Sequence, residues 1–266
     1  MDMDKANEIP LLKHSLKDES AFRPKALIAS VRAERGIADT AIPEICVLDF
    51  DGDLTDWLVR TGRSKPAAGW ACFHSSMQIV EIDGVAVGVV DRTIGGPYAV
   101  LIAEQMLAAG VKVIVGMTSA GRVASSIPIP CLVIPTRALR DEGTSYHYLP
   151  PSEFVEAPSD LSSLLAGELE PTGVPIQRGA VWTTDAPYRE TTEQIRRHSA
   201  AGILAVEMQA ASLFALAAAR SAPIGIIAHV TNAADHEGKD FDKGSEQLSF
   251  EILGGIARAG SGIIRT

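Results

Sequence analysis

The 266-residue chain has few aromatic residues, 5%, and few cysteines, Cys46, Cys72 and Cys131. The three thiols lie far apart and their number is odd. They form no C-x-x-C pair and no Cys/His ligand spacing, which excludes a disulfide framework and a thiolate metal centre. Buried free thiols in a reducing cytoplasm are the expected state, so the chain reads as cytoplasmic. Long apolar runs are missing as well. None reaches the roughly 18 residues a membrane span needs. Residues 1–20 are charged and lack the apolar core of a signal peptide. Positive charge is in deficit, with 24 Lys and Arg against 33 Asp and Glu, a net −9. Nucleic-acid backbones require clustered Lys and Arg, so no nucleic acid and no membrane is expected as partner. A small anionic ligand at a local site is not excluded by that balance. No linker, repeat or low-complexity stretch divides the sequence. One domain over residues 1–266 is expected, with 1–25 as an irregular N-terminal arm.

What is present is an aliphatic core pattern. Apolar residues make up 46% and charged residues 21%, values that suit a globular domain packed with Ala, Ile, Val and Leu. Compact apolar runs predict strands at 44–50, 70–79, 85–91, 112–117, 131–139, 180–184, 203–206 and 224–230. Helices are predicted at 26–35, 54–60, 98–109, 161–169, 190–200, 210–220 and 246–256. The turn Asp83-Gly84 joins 70–79 to 85–91 as a hairpin. Strand–helix alternation along the whole length indicates an α/β fold with a largely parallel sheet. In open α/β sheets, ligands gather at the carboxyl ends of strands. Six such ends carry small or polar residues. They are the runs at 49–53, Gly95-Gly96, Thr118-Ser119-Ala120-Gly121, Thr183-Thr184-Asp185, Glu207-Met208-Gln209 and Thr231-Asn232.

Four of these runs, in order, resemble the nucleoside phosphorylase family of the uridine phosphorylase type. Thr93-Ile94-Gly95-Gly96-Pro97 resembles its glycine-rich loop leading into a helix. Residues 110–121 resemble its next strand and phosphate/base loop. Glu207-Met208-Gln209-Ala210-Ala211 resembles its E-M-E-x-A motif, and Val230-Thr231-Asn232 the strand end that closes the base pocket. The resemblance covers the chain from about residue 44 onward. It implies a three-layer α/β/α sandwich around a mixed, partly closed central sheet. It implies a nucleoside-like small molecule as ligand, no cofactor beyond phosphate as co-substrate, no metal, and a homo-oligomer, a dimer or hexamer. Met208 and Gln209 inherit the sugar contacts beside Glu207, with Gly95, Gly96 and Thr118 lining the same site. The base falls near Asp185, Tyr188, Arg189 and Asn232, with Tyr188 able to stack and Arg189 able to hydrogen-bond a carbonyl. Residues 140–148 read as a pocket or subunit-contact loop. His14 stands where family members lend an N-terminal His to a neighbour's sugar site.

The chain also departs from that pattern. Gln209 replaces the second Glu of E-M-E and carries no charge. The family's phosphate-binding arginines are missing from three places. The first reads Asp49-Phe50-Asp51-Gly52-Asp53, the second Gly116, and the third Phe73 or His74. Two like charges about 5 Å apart repel by roughly 1–3 kcal/mol at effective dielectrics of about 20 to 80, so an acidic turn disfavours phosphate. Related nucleosidases use water, with a carboxylate at the end of the first strand and a serine in an S-A-G loop. Ser119-Ala120-Gly121 with Asp49, Asp51 or Asp53 fits that arrangement, and a carboxylate raised in pKa by like neighbours is a candidate general base. The catalytic candidates are therefore Asp51, Ser119 and Gln209. Cleavage of a nucleoside N-glycosidic bond, phosphorylase-type, is the expected activity. Hydrolysis by water and non-catalytic nucleoside binding stand as alternatives.

Overall fold

The computed structural model describes residues 9–235 and 244–265. Residues 1–8 of the expected arm lie outside them. Ten strands form one sheet among the described residues. They are β1 (Ile45–Asp49), β2 (Lys65–Pro66), β3 (Gln78–Ile82), β4 (Val85–Asp91), β5 (Val113–Arg122), β6 (Cys131–Asp141), β7 (Phe154–Glu156), β8 (Ile176–Thr184), β9 (Ile203–Glu207) and β10 (Ile224–Ala233). The helices are α1 (Pro24–Arg35), α2 (Asp53–Arg60), α3 (Gly96–Ala108), α4 (Ser159–Leu169), α5 (Thr192–Ala200), α6 (Ala210–Arg220) and α7 (Glu246–Arg265).

The sheet order is β10-β6-β8-β9-β5-β1-β4-β3-β2, and β5 pairs with β10 as well. Strands β5, β10, β6, β8 and β9 therefore close into a ring, and β1, β4, β3 and β2 extend from it as an open wing. Helices α3 and α6 bury their apolar residues on one face. Helices α2, α4 and α7 cover the other. This is the sandwich with a mixed, partly closed sheet that the family resemblance implies.

The central strands are apolar along their whole length because both faces are covered. All five residues of β1 are buried. The first eight residues of α6, Ala210 to Ala217, are buried too. Helix starts follow local chemistry. Pro24 opens α1 at a position where its missing N–H costs nothing. Thr191 and Gln194 form a capping box at α5.

Three expectations change. The sheet is mixed rather than largely parallel, since β10–β6, β5–β9, β2–β3, β3–β4 and β6–β7 are antiparallel. Residues 70–77 are not strand. Trp70, Cys72 and Met77 are apolar because they fill the main core, Ala71 because it packs with Ile28 and Val31 of α1, and they join no ladder. The hairpin itself stands, with Ile82 opposite Val85 and positive φ at both Asp83 and Gly84. Residues 118–121 are not a loop. They continue β5, pairing Thr118 with Ala228 and Ser119 with His229 on β10, then Gly121 with Val206 on β9. That continuation is what closes the ring.

Gly116, at the centre of β5, is enclosed. A Cβ there would stand 2.6 Å from both Ile226 Cδ1 and Phe50 Cε2. Overpacking of this kind costs about 1–3 kcal/mol. Gly116→Ala is expected to lower the unfolding free energy by about that much in urea denaturation. An unchanged midpoint would show that Phe50 moves aside freely.

Candidate active site

The turn after β1 sorts its carboxylates by direction. Asp49, the last residue of the strand, points inward and is buried. Its Oδ2 accepts the Thr55 N–H and the Thr55 hydroxyl, both at 2.8 Å, and its Oδ1 accepts the Gly52 N–H at 3.2 Å. Asp49 thus ties the turn to α2. Burial raises its carboxyl to about 6, against the lowering effect of these hydrogen bonds. Gly52 takes φ +84, and a Cβ on it would meet Arg92 Cγ at 2.9 Å. Arg92 lies across the turn. Its N–H donates to the Asp49 carbonyl at 2.8 Å, and its guanidinium pairs with Asp56 at 2.5 Å and with Asp91.

With Asp49 turned in, Asp51 faces β5. Its Oδ2 accepts the Ser119 N–H at 2.9 Å and its Oδ1 the Ser119 hydroxyl at 3.1 Å. The two carboxylate oxygens thereby take both donors of one serine. Asp49, Asp51, Asp53, Thr118, Ser119 and His229 line a chamber of about 40 Å³ at this point. His229 was not a sequence candidate. Its only signal was a polar residue inside the apolar run of β10.

A second cluster surrounds the start of α6. Glu207 ends β9 and is buried. Its Oε1 accepts the Thr183 hydroxyl at 2.5 Å, and its Oε2 accepts the N–H groups of Gln209 and Ala210 at 2.6 and 2.8 Å. The carboxylate caps the helix start, where negative charge is favoured. Burial nevertheless raises it to about 7. Met208 is half-buried and Gln209 is buried. Gln209 Oε1 accepts the Met208 N–H at 3.2 Å and stands 3.4 Å from the Thr118 hydroxyl. Thr118 therefore links this cluster to the chamber. Gly95 takes φ +88 ahead of α3. Gly96 packs so close to Ser212 that a Cβ would stand 2.2 Å from its hydroxyl. Ser212 in turn donates to Glu142 at 2.6 Å, as does the Ser145 N–H at 2.9 Å.

The remaining candidates are less central. Asn232 is buried, beside Gly121 on β5, and donates to the Thr231 hydroxyl at 3.0 Å. Asp185 accepts the Gly143 N–H at 2.8 Å, and its carboxyl is raised mainly by burial. Tyr188 is 100% exposed and Arg189 is exposed with it, on the turn Pro187–Arg189. His14 stacks on His147 at 4.7 Å, with its Nε2 3.1 Å from the Tyr146 carbonyl of the same chain. The fold thus brings Asp51, Ser119, Thr118 and Gln209 together, with Glu207, Met208, Gly95 and Gly96 on adjoining segments. It leaves Tyr188, Arg189 and His14 outside that group.

The sequence profile of the phosphorylase superfamily matches residues 44–257. The chain belongs to the phosphorylase superfamily. It is similar to guanosine phosphorylase from Halorubrum lacusprofundi, at 30% identity over 184 residues, 66% of this chain and 73% of that enzyme. It is similar to uridine phosphorylase from Thermococcus kodakarensis, at 28% over 150 residues, 50% of this chain and 53% of that enzyme. A crystal structure of uridine phosphorylase from Vibrio fischeri shares the fold, with a TM-score of 0.64 at 19% identity, covering 83% of this chain and 89% of that one.

As a phosphorylase superfamily member, the chain has an acidic site. Two of the three places where the resemblance calls for arginine are explained by packing. Gly116 is walled by Phe50 and Ile226, and the β1 turn is held by Asp49. Phe73, at the third, stacks under Arg35 at 5.1 Å. Among the described residues, no group of His, Cys, Asp or Glu is arranged to hold a metal ion, and no helix is long and apolar enough to cross a membrane.

Glu207 gives a test of the helix-start cluster. Its raised carboxyl keeps a proton in the folded state that the unfolded chain has lost. Its contribution to stability is therefore full below about pH 4.5 and is lost as pH rises to about 7. Glu207→Ala removes that titration and leaves three donors without their acceptor, at a cost of about 1–3 kcal/mol. The variant should melt lower than wild type at the acid end and lose less stability across that window. Parallel pH profiles of the two proteins would contradict the assignment.

Proposed function

We propose that this chain cleaves the N-glycosidic bond of a nucleoside or nucleoside-like compound, and that water is the nucleophile. The observation that supports water is the bidentate Asp51–Ser119 pair. An incoming phosphate dianion would need the same N–H and hydroxyl, and both are given to a carboxylate. Asp49 and Asp53 line the same chamber and add repulsion. At about 10–15 Å³ of such space per water, the chamber takes roughly three waters. In the reaction, the water oxygen bonds to the sugar C1′ while the C1′–N bond breaks, its electron pair leaving on the base nitrogen. The water's proton passes to Asp51, and the base nitrogen takes a proton from solvent. Gln209, Met208 and Thr118 bind the sugar beside Gly95 and Gly96. Glu207 holds the α6 start in place. Asp185 and Asn232 flank the base.

The relatives' names favour a second reading, in which phosphate is the co-substrate. A panel of guanosine, inosine, adenosine and uridine, assayed with and without phosphate, separates the two. The expected result is turnover in phosphate-free buffer, unchanged by added phosphate. Asp51→Asn is expected to lower kcat by about 10²–10⁴-fold, the range for loss of a general base. Turnover only with phosphate would transfer the assignment to the second reading. Stabilisation by nucleoside without turnover in either buffer would leave a binding protein.

The protein is further proposed to be a cytoplasmic homo-oligomer, a dimer or hexamer. Three free, buried cysteines support the compartment. Apolar side chains exposed near the glycine-rich loop and the arm support the assembly, among them Phe22 at 68%, Ile94 and Leu101. Phe22 and Leu101 border a groove of about 1070 Å³ between the arm and α3. Light scattering after size-exclusion chromatography is expected to give at least a dimer. Phe22→Ser with Leu101→Ser should shift it toward monomer, and a monomeric wild type would contradict the assembly.

A further inference from the structure

We propose that His229 is a third member of the water site, holding the attacking water against Asp51. The inference rests on the hydrolytic reading above. Its basis is the register of two adjacent parallel strands. On β5, Met117 and Ser119 are two residues apart. On β10, Ile227 and His229 are two residues apart and pair with them. Side chains two apart on a strand share a face, and register partners on neighbouring strands point the same way. All four line the chamber, so the imidazole and the Ser119 hydroxyl stand side by side on its wall. Asp51, fixed to Ser119, faces them from the β1 turn.

The histidine is placed, not merely accommodated. It is buried within β10, where an apolar residue would continue the Ile224–Ile227 pattern. Gly244, at φ +80, lies against the ring, and a Cβ there would stand 2.2 Å from His229 Cε1. A side chain at 244 would displace the imidazole. The chamber wall thus holds carboxylates from Asp49, Asp51 and Asp53 and one nitrogen heterocycle that can accept or donate a hydrogen bond. A water lodged there needs one acceptor for the proton it loses and further partners to aim its lone pair. Asp51 supplies the first. His229 and the Ser119 hydroxyl supply the others. The bonds made and broken are those of the hydrolysis already given, with His229 gaining and losing no proton overall.

The test uses the full-length protein and the same four nucleosides in phosphate-free buffer. His229→Ala is expected to lower kcat by about 10²-fold or more with KM little changed, since the group acts on the water and not on the nucleoside. Added imidazole is expected to restore a measurable part of the rate to His229→Ala and to leave wild type unaffected. A core histidine of purely structural use would give a lowered melting temperature and no response to imidazole, which would overturn the proposal. So would a kcat within about threefold of wild type, or a loss confined to KM. Should the Ala variant fail to fold, His229→Leu, which fills space but offers no donor or acceptor, carries the kcat-against-KM comparison with the same criteria. Wild-type protein inactive on all four nucleosides would sink the hydrolytic reading and this inference with it. Active wild type with unaffected His229 variants would sink this inference alone.

Discussion

The site depends on one interaction, the two hydrogen bonds that Ser119 gives to Asp51. They join the turn after β1 to a strand that, at that point, is still pairing with β10. A carboxylate there does two things at once. It satisfies a backbone N–H and a hydroxyl that an anion could otherwise claim, and, on the proposed reading, it puts a base beside a chamber that holds a few waters. Charge-assisted hydrogen bonds of this type are about twice as strong as neutral ones. An entering dianion would have to break them and also withstand the neighbouring carboxylates. On the proposed reading, the choice of nucleophile is set by an internal side chain that resembles the anion it displaces.

The surrounding acidic residues divide into supports and actors by where their oxygens are spent. Asp49 gives its oxygens to Gly52 and Thr55, so it shapes the turn. Glu207 gives its oxygens to Thr183, Gln209 and Ala210, so it shapes the start of α6. Both are buried and raised in pKa by that burial. Of the three carboxylates that line the chamber, Asp51 is the one bonded to Ser119, and it is only partly buried. Arg92, with φ +54, braces this turn from outside against Asp56 and Asp91. Its charge is therefore already committed to the turn.

Much of this was legible in the sequence, and the illegible part has physical causes. Helices α1, α3, α4 and α6 follow from apolar spacing, caps and terminal glycines, which are local signals. The ring was not legible locally, because the pairing of 118–122 with β10 and β9 joins segments about 100 residues apart. The same small residues that read as a loop are those that let β5 bend across to β9. The apolar run at 70–77 misled because core filling and strand formation select the same side chains. Asp51 and Ser119 were legible through the family resemblance. Asp51 was the candidate named among three aspartates, but the geometry that turns Asp49 inward onto Gly52 and Thr55 and leaves Asp51 facing the serine was not legible. Glu207 carried a ligand-binding expectation, and within the chain its oxygens go to the Thr183 hydroxyl and to the backbone at the start of α6. His229 was hidden in a buried strand, where a polar residue is seen but its direction is not.

Isotope labelling of the product reaches the central claim most directly. Cleavage of a nucleoside substrate in ¹⁸O-water containing phosphate, with the sugar product read by mass spectrometry, reports the nucleophile itself. Attack by water from the Asp51–Ser119 site predicts a free sugar carrying ¹⁸O at C1 and no sugar 1-phosphate. A sugar 1-phosphate would contradict it, and would mean that phosphate displaces Asp51 from Ser119 during turnover.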